Sequence, residues 1–222
     1  MTGIDVSKVA TGIDNVKEQN CPLCNINKNI LCHGDSFYVM SPKGSLASGH
    51  CFIVPHFHLD CYGRLQDSFV DELLETKIRL RNILAKEYHT DKIIIFEHGH
   101  IGNAQKPTEY CKHAHLHFVP IEFNGDFVVF IEKNLKIKPI EFSSFRHFKS
   151  YVKSENMNEE YLYIDDGGSI SAFFLTSIQL PRHYFRYCYL KLGNKSLEHA
   201  DWMKHPNWGT VEDTVKKLVD KF

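Results

Sequence analysis

The chain has 222 residues, enough to bury a sizeable core as one domain with an extension or as two small units. Its 26 Lys and Arg residues nearly balance its 27 Asp and Glu residues. The net charge of −1 counts against a nucleic-acid partner or an anionic membrane surface, so any site for a polyanion must be local. Seven cysteines, without a signal-peptide pattern or an apolar run of membrane-spanning length, predict a reducing, cytoplasmic location.

The N-terminal region begins with residues 1–19, which we interpret as an arm that is either a short amphipathic helix or loosely attached. Cys21 and Cys24 follow at the spacing that lets two thiolates reach one metal from a tight turn. This spacing alone fits a zinc site and a pair of incidental or redox cysteines equally well. A tetrahedral metal site would need two further ligands from elsewhere in the chain.

Two strands and one long helix are predicted next. Phe37–Met40 is typical of a strand, and His50–Val54 is typical of a second strand that ends at Pro55. From Gln66 to His89, apolar residues recur at three- and four-residue spacing. This periodicity predicts a helix with one buried stripe and one solvated, charged face.

A buried strand is predicted at Lys92–Phe96, and it runs into the polar sequence Glu97-His98-Gly99-His100. Polar side chains where a strand opens into a loop are often pocket residues, so Glu97 and His98 are candidate substrate contacts. Capping of the strand end explains them equally well. The loop that follows offers three more polar candidates, Gln105, Lys106 and Thr108.

The most informative stretch runs from Cys111 to Pro120. In a strand, successive side chains point to opposite faces, so three histidines would line one face and three apolar residues the other. These are His113, His115 and His117 on one side and Ala114, Leu116 and Phe118 on the other. A row of imidazoles is costly as mere packing, because each buried ring needs partners for both nitrogens. The pattern therefore predicts that the apolar face is buried and that the histidine face carries chemistry.

Beyond Pro120 the pattern predicts a strand at Phe127–Ile131 and then a hairpin. The hairpin pairs Tyr161–Ile164 with Ser169–Leu175 through an Asp-Asp-Gly-Gly turn. That Gly-Gly pair is turn chemistry and not a phosphate loop, because no helix and no lysine follow it.

Two helices are predicted at the C-terminal end. Pro181–Leu192 fits the first, whose basic side chains predict an exposed basic face; these are Arg182, His183 and Arg186. Thr210 is predicted to cap the second helix. The two tryptophans, Trp202 and Trp208, are expected to pack beneath it.

Three of these motifs together resemble the histidine triad superfamily, whose members hydrolyse or transfer nucleotides at the α-phosphate. His113–Val119 matches the pattern His-φ-His-φ-His-φ-φ, in which φ is apolar. Gly49–His58 is similar to the strand motif Gly-His-φ-φ-φ-φ-Pro-x-x-His, and Cys21–Cys24 is similar to the Cys-x-x-Cys of zinc-carrying members. The resemblance covers roughly Cys21 to Pro120 and, more loosely, the tail after Tyr161, which looks like the extension of longer bacterial members.

The resemblance implies an α+β fold, with an antiparallel sheet that carries the triad strand and one long packed helix. A C-terminal hairpin and two helices would form an extension. It divides the chain into the arm 1–19, a catalytic domain 20–135 and an extension 136–222 packed on it. Members of the superfamily often pair through the long helix and an edge strand, so a homodimer is possible here unless the extension blocks that surface.

The resemblance also implies roles for individual residues. His115 would be the nucleophile at the α-phosphorus, giving a nucleotidyl-histidine intermediate, and His117 would donate to the phosphoryl oxygens or the leaving group. His113 would either hydrogen-bond the strand or ligate zinc. The Gly-His start of the upstream strand would place His50 near the nucleotide pocket. The helix at Pro181–Leu192 would lean against that pocket, as an alternative to an exposed basic face.

A structural zinc site is the second implication, with His58 and His113 joining Cys21 and Cys24 as ligands. A site with four protein ligands has no open position for substrate. Rival ligands nearby in the sequence are Cys32, His33, Cys51, Cys61 and Cys111.

The chain departs from the superfamily pattern before the triad, where hydrolases carry Gly-Gln-Ser. Gln105, Lys106 or Thr108 could substitute for that phosphate contact. Hydrolysis is favoured over nucleotidyl transfer, because transferase branches commonly replace the third histidine with glutamine and His117 is present here. Two further alternatives are a catalytically degenerate nucleotide-binding sensor and a zinc-stabilised interaction module.

Overall fold

The computed structural model describes residues 21–100, 113–155, 159–176, 178–181 and 183–222. Its centre is one eight-stranded sheet. The strands are β1 (Ile30–His33), β2 (Phe37–Met40), β3 (Cys51–Pro55), β4 (Ile93–His100), β5 (Leu116–Pro120), β6 (Ile140–Phe142), β7 (Glu160–Asp165) and β8 (Ile170–Phe174). Their order across the sheet is β1-β2-β3-β5-β4-β7-β8-β6, and each neighbouring pair is antiparallel. The predicted arm, 1–19, lies outside the described residues.

Within the described residues, five helices cover the two faces of this sheet. They are α1 (Val70–Tyr88), α2 (Phe127–Leu135), α3 (Phe145–Ser154), α4 (Tyr184–Leu192) and α5 (Trp208–Leu218). Helices α1, α3 and α5 pack on the side that carries Leu116 and Phe118, which we call the α1 face. Helices α2 and α4 pack on the side that carries Phe96 and Val119, which we call the α4 face. The α+β fold with an antiparallel sheet and one long packed helix is therefore confirmed.

The long helix α1 forms because its sequence keeps one apolar stripe over five turns. Leu73, Leu80 and Leu84 are fully buried against the sheet, whereas Glu75 and Arg79 are exposed. Lys77, a charged residue of the same helix, is buried as well. The helix ends where His89 adopts a left-handed conformation with φ of 51° and donates its N–H to the carbonyl of Ala85. One short 3₁₀ turn, Asp67–Phe69, leads into it.

The strand predicted at Phe127–Ile131 is wrong, because this run begins helix α2. The side chain of Asp126 caps the helix by accepting a hydrogen bond from the N–H of Val129 at 2.9 Å. Phe127 and Ile131, four residues apart, face the core, whereas Val129 is 39% exposed. A five-residue apolar run is too short for its periodicity to distinguish a strand from a helix. Here the Asp126 cap favours the helix.

The predicted C-terminal hairpin is present as β7 and β8, and it joins the sheet beside β4. Strand β4 is thus paired on both sides, with β5 and with β7. The residues after 135 continue the same sheet, and among the described strands β1 and β6 are the outer ones.

Two details of the C-terminal helices differ from the prediction. Helix α4 begins at Tyr184 and not at Pro181. Helix α5 has Asn207 as its N-cap, so Thr210 lies within its first turn, and Trp208 is 46% exposed instead of packed beneath the helix. None of the described helices combines the length and the apolar composition needed to cross a membrane.

A buried ion pair fastens α1 to the hairpin. The ammonium of Lys77, whose side chain is 7% exposed, lies 2.9 Å from a carboxylate oxygen of Asp165. It also donates to the hydroxyl of Tyr163 at 3.1 Å, while Arg81 contacts the other carboxylate oxygen of Asp165 at 3.3 Å. Because these charges are shielded from water, removing one partner leaves the other poorly compensated.

We expect Lys77→Met to lower the free energy of unfolding by about 3 kcal/mol, because among the described residues Asp165 then keeps Arg81 as a charged partner, in a site that excludes most water. Urea unfolding followed by circular dichroism measures the change. The control is Lys86→Met, which alters an exposed lysine of the same helix and should change stability by less than about 0.5 kcal/mol. Equal effects of the two substitutions would contradict this account.

Candidate functional site

The three triad histidines do not share one face, because strand β5 begins only at Leu116. His117 lies within the strand on the α4 face, and the ring of His115 lies 5.1 Å from it, centroid to centroid. His113 precedes the strand and turns towards Cys21 and Cys24. The sequence-based expectation of one row of three is therefore corrected to a pair plus a separate ring. The expected apolar partners, Ala114, Leu116 and Phe118, do lie in the core of the α1 face.

The tautomer of His115 follows from its partner. Its Nδ1 lies 2.7 Å from the backbone carbonyl of His113. A carbonyl oxygen can only accept, so Nδ1 of a neutral His115 carries the proton and Nε2 carries the lone pair. The ring is half-buried. In its neutral form His115 thus has its lone pair on the nitrogen opposite the anchored side, which is the form that a nucleophile requires.

A relay of hydrogen bonds fixes the tautomer of His117 in the opposite sense. The backbone N–H of Leu46 donates to Nδ1 of His50 at 3.0 Å, so the proton of His50 lies on Nε2. That Nε2–H faces Nδ1 of His117 at 3.0 Å. Nδ1 of His117 is therefore an acceptor, and its own proton lies on Nε2. The pair consequently combines a lone pair on His115 with an N–H donor on His117.

Burial keeps both relay rings neutral. It holds the pKa of His50 well below its usual range, and the nearby Arg186 and His115 side chains act in the same direction. Burial likewise holds the pKa of His117 well below its usual range, and the neighbouring His115 and His50 add to this effect. Neutral rings are what the assigned tautomers require.

Aromatic side chains from the neighbouring strands hold the pair in place. Phe52 and Phe96 stand opposite His117 in the strand register, one in β3 and the other in β4. Phe96 stacks on His117 at 4.2 Å between ring centroids, and Phe52 meets it edge-on at 4.4 Å. Phe52 also contacts His115, with 4.8 Å between ring centroids. Phe185 of α4 packs on Phe96, with 4.6 Å between ring centroids. Packing from both sides leaves His117 little rotamer freedom.

Four side chains form a cluster that suits a metal ion. One ligand atom from each of Cys21, Cys24, His58 and His113 lies within 4.8 Å of the others. Nδ1 of His113 lies 3.4 Å from Sγ of Cys21 and 3.3 Å from Sγ of Cys24, and Nδ1 of His58 lies 3.4 Å from Sγ of Cys24. Tetrahedral zinc with sulfur and nitrogen ligands requires S···N separations of about 3.5 Å, so these spacings fit.

His113 is also held from its far side. Its Nε2 lies 3.0 Å from the carbonyl of Pro55, which can only accept, so Nδ1 carries the lone pair that faces the thiols. Burial lowers the pKa of His113 to about 4, although the Pro55 contact acts in the opposite direction. Among the described residues, the rivals Cys32, His33, Cys51 and Cys61 take no part in this cluster. Cys111 lies outside the described residues.

The remaining predicted residues have separate positions. Glu97 lies on the α1 face, across the sheet from His115 and His117, where it accepts hydrogen bonds from the N–H of Tyr62 and the hydroxyl of Tyr161. His98 lies in β4 and contacts Glu160 of β7 at 3.2 Å. The structure therefore brings His50 to the histidine pair but not Glu97. The three loop candidates, Gln105, Lys106 and Thr108, lie outside the described residues.

Sequence reasoning missed several residues that shape the site. Leu46 contributes only its backbone N–H, which no side-chain motif reveals. Phe52 and Phe96 were assigned to strands but not to the site, although the predicted strand alternation together with the register would have placed them beside His117. Arg186 was predicted to be exposed, yet only 6% of it is accessible.

A family model described as "Protein similar to CwfJ C-terminal" matches residues 11–126. No curated protein matches the chain. Its fold is similar to that of a hypothetical histidine triad nucleotide-binding protein from Sulfolobus tokodaii, at 14% identity and a TM-score of 0.39, covering 90% of this chain and 97% of the other.

Two more solved structures are similar at the same level. One is a zinc-bound histidine triad family protein from Mycobacterium smegmatis, with 16% identity, a TM-score of 0.37 and coverage of 62% of this chain and 96% of the other. The other is the yeast Ap4A phosphorylase Apa2 in complex with AMP, with 13% identity, a TM-score of 0.43 and coverage of 86% and 78%. These values are too low to transfer an activity from those proteins to this chain.

The placement of Glu97 leads to a pH-dependent prediction. Burial raises the pKa of its carboxyl from the ordinary 4.5 to about 7, although the contacts with Tyr161, Tyr62 and Lys77 oppose the shift. Below pH 4.5 the group is protonated in both folded and unfolded chains. Between pH 4.5 and 7 only the folded chain keeps the proton, so stability falls as pH rises.

We therefore expect Glu97→Gln to gain stability relative to the wild type by about 3 kcal/mol between pH 4.5 and 8, because glutamine has no proton to lose. Urea unfolding of both proteins across this range measures the difference. A constant offset between the two proteins at all pH values would contradict the raised pKa.

Proposed function

Because this chain belongs to the family of proteins similar to the CwfJ C-terminal region, which is a histidine-triad-like family, we propose that it is a nucleotide hydrolase acting at the α-phosphate. The observation that carries the proposal is the opposed tautomers of the histidine pair. Nε2 of His115 has a lone pair, and Nε2 of His117 has a proton. One nitrogen can attack phosphorus while the other donates to the charge that develops on oxygen.

In the first step Nε2 of His115 attacks the α-phosphorus, a P–N bond forms, and the bond from phosphorus to the leaving group breaks. The imidazole becomes a nucleotidyl-imidazolium whose Nδ1–H still donates to the carbonyl of His113. His117 donates its Nε2–H as a hydrogen bond to the phosphoryl or leaving-group oxygen. It does not have to transfer this proton, which suits a ring whose pKa is held well below its usual range.

In the second step water attacks phosphorus and the P–N bond breaks. The electron pair of that bond returns to Nε2 of His115, the water proton passes to solvent, and the nucleoside monophosphate leaves. Two displacements thereby replace one difficult hydrolysis. The substrate class that we infer is a dinucleoside polyphosphate, a nucleoside phosphoramidate or an adenylate. Residues 20–135 would supply the reacting groups, with 136–222 as the extension packed on them.

Zinc is the metal that we infer for the Cys21, Cys24, His58 and His113 cluster. Two thiolates and two imidazoles are a ligand set typical of structural zinc, and four protein ligands leave no position for substrate. The ion would supply structural cross-linking, tying the N-terminal turn to the entry of the triad strand. The fixed Nδ1 lone pair of His113 supports this assignment, because a zinc-bound histidine usually donates its other N–H to a carbonyl or carboxylate.

We expect His115→Ala to lower turnover of diadenosine polyphosphates and adenosine phosphoramidates by at least about 1,000-fold, because the nucleophile is lost. Rapid quenching at alkaline pH followed by intact-protein mass spectrometry should detect a nucleotide adduct on the wild type and none on the variant. The control is His89→Asn, which replaces an exposed histidine at the end of α1 and should keep both the adduct and the turnover.

Other outcomes distinguish the competing functions. Transfer of the bound nucleotide to a second nucleotide in preference to water would replace the hydrolase proposal with nucleotidyl transfer. Nucleotide binding without adduct or product in the wild type would replace it with a sensor.

We expect the wild type to carry about one zinc per chain and Cys24→Ser to carry almost none, since a tetrahedral site rarely survives loss of a thiolate. Plasma emission spectrometry of the purified proteins measures the metal. Cys32→Ser, a half-buried cysteine outside the cluster, is the matched control and should retain zinc. Wild-type protein that binds no zinc during refolding with the ion would contradict the site.

A further inference from the structure

Arg186 in α4 is a buried cation whose bonds all reach across to other segments. Its side chain donates to the carbonyl of Gly44 at 2.6 Å, to that of Ala200 at 2.9 Å and to that of His199 at 2.8 Å. Burial lowers its pKa to about 10, a value at which it still carries its charge near neutral pH. Charge-assisted bonds to carbonyls are stronger than neutral ones, so Arg186 joins α4 firmly to the segment around Gly44.

That segment, residues 43–49, is held by the C-terminal residues at three further points, and we call it the relay loop. The backbone N–H of Asn207 donates to the carbonyl of Lys43 at 3.2 Å, and its side-chain amide donates to the carbonyl of Ser45 at 3.3 Å. At the other end of the loop, the N–H of Gly49 donates to the buried hydroxyl of Thr214 at 3.0 Å. Separate parts of the C-terminal segment therefore hold both ends of the relay loop.

Close packing around two glycines also restricts the relay loop. A Cβ atom added to Gly44 would lie 2.2 Å from Cβ of Trp202, which is far inside van der Waals contact. Gly49 has φ of +81°, a conformation that favours glycine, and a Cβ there would lie 2.6 Å from the ring of Tyr88. Both glycines thus permit a close approach that no other residue allows.

The relay loop carries the N–H that fixes the histidine relay. Leu46 lies between the clamped residues, and its N–H donates to Nδ1 of His50. We propose that Arg186, Asn207 and Thr214 are positioning residues of the histidine site. By clamping the relay loop they hold the Leu46 N–H on His50, which keeps the proton of His117 on Nε2. The effect on catalysis rests on the proposed function, whereas the effect on the tautomers does not.

The proton positions of His50 and His117 are coupled. If the Leu46 N–H withdraws, Nδ1 of His50 can carry the proton and its Nε2 becomes an acceptor. The short contact between the rings then requires Nδ1 of His117 to donate, so the proton of His117 leaves Nε2. The two rings must therefore change tautomer together.

The test is ring-nitrogen NMR on the full-length, zinc-loaded protein labelled with ¹⁵N-histidine, because ¹⁵N shifts distinguish protonated from unprotonated nitrogens. Spectra of His50→Gln and His117→Gln assign the two rings. In the wild type both should show a single Nε2–H form. In Arg186→Gln, and separately in the near-isosteric Thr214→Val, a second form should appear on both rings.

A matched control separates positioning from general stability. Arg81→Gln removes an arginine that is also tied to a carboxylate and a carbonyl, but it lies on the α1 face with Asp165 and makes none of the relay-loop contacts described above. This variant should lose stability and keep both tautomers. Gly44→Ala approaches the same clamp from the loop side, so it should reproduce the tautomer change even if Arg186→Gln folds poorly.

Activity adds a second readout. With a diadenosine polyphosphate we expect kcat of Arg186→Gln and Thr214→Val to fall by about 10- to 100-fold with KM changed less than about threefold, because orientation and not substrate binding is lost. Unchanged tautomers in Arg186→Gln, Thr214→Val and Gly44→Ala would overturn the proposal, as would an equal change in Arg81→Gln. If the wild type has no turnover, the proposed function fails, and the NMR result still decides this inference.

Discussion

Both parts of the site depend on His113. The histidine pair depends on its backbone carbonyl, and the Cys/His cluster depends on its ring. The carbonyl accepts from Nδ1 of His115, and this contact leaves the lone pair of His115 on Nε2. The side chain of the same residue faces Cys21 and Cys24 and donates on its far side to the carbonyl of Pro55. A residue held at its ring and at its peptide cannot rotate away. The orientation of the His115 ring therefore depends on how the His113 ring is held between the two cysteines and Pro55.

The sheet separates two kinds of polar group by its two faces. On the α4 face, histidines lie between aromatic rings and are kept neutral by burial. On the α1 face, Lys77 pairs with Asp165 and donates to the hydroxyl of Tyr163, while Glu97 accepts from the hydroxyl of Tyr161. Adjacent residues of one strand, such as Phe96 and Glu97, therefore serve different ends, because alternation sends neighbours to opposite sides. The histidine cluster and the buried ion pair therefore use the two faces of one sheet and have different surroundings.

Short-range patterns in the sequence predicted much of this arrangement. The α1 helix, the C-terminal hairpin and the Cys-x-x-Cys turn are local, since periodicity or spacing within a few residues defines them. The antiparallel α+β fold followed from the resemblance that the triad motif carries. What the sequence did not reveal depends on pairing between distant segments. Glu97 was a pocket candidate, but the strand register places it on the other face of the sheet. Arg186 was predicted to be exposed, but contacts with the segments at Gly44 and Ala200 bury it.

The strand assigned to Phe127–Ile131 failed for a different reason. Its helix depends on Asp126, a single capping residue just before the apolar run. Capping signals are local too, but they carry weight only when the run itself has no clear period. The role of Leu46 could not be predicted from sequence motifs, because it contributes a main-chain N–H and any side chain at this position would leave that N–H in place.

Strand β4, paired with β5 on one side and with β7 on the other, has a consequence for dissecting the protein. A fragment that stopped after residue 135 would keep the triad strand but would leave the outer side of β4 bare. Residues 95–100 of that strand would present a row of unsatisfied main-chain donors and acceptors. Such a border readily adds a strand from another molecule, so the fragment would tend to aggregate. The boundary suggested by the motifs is thus a poor place to cut the chain.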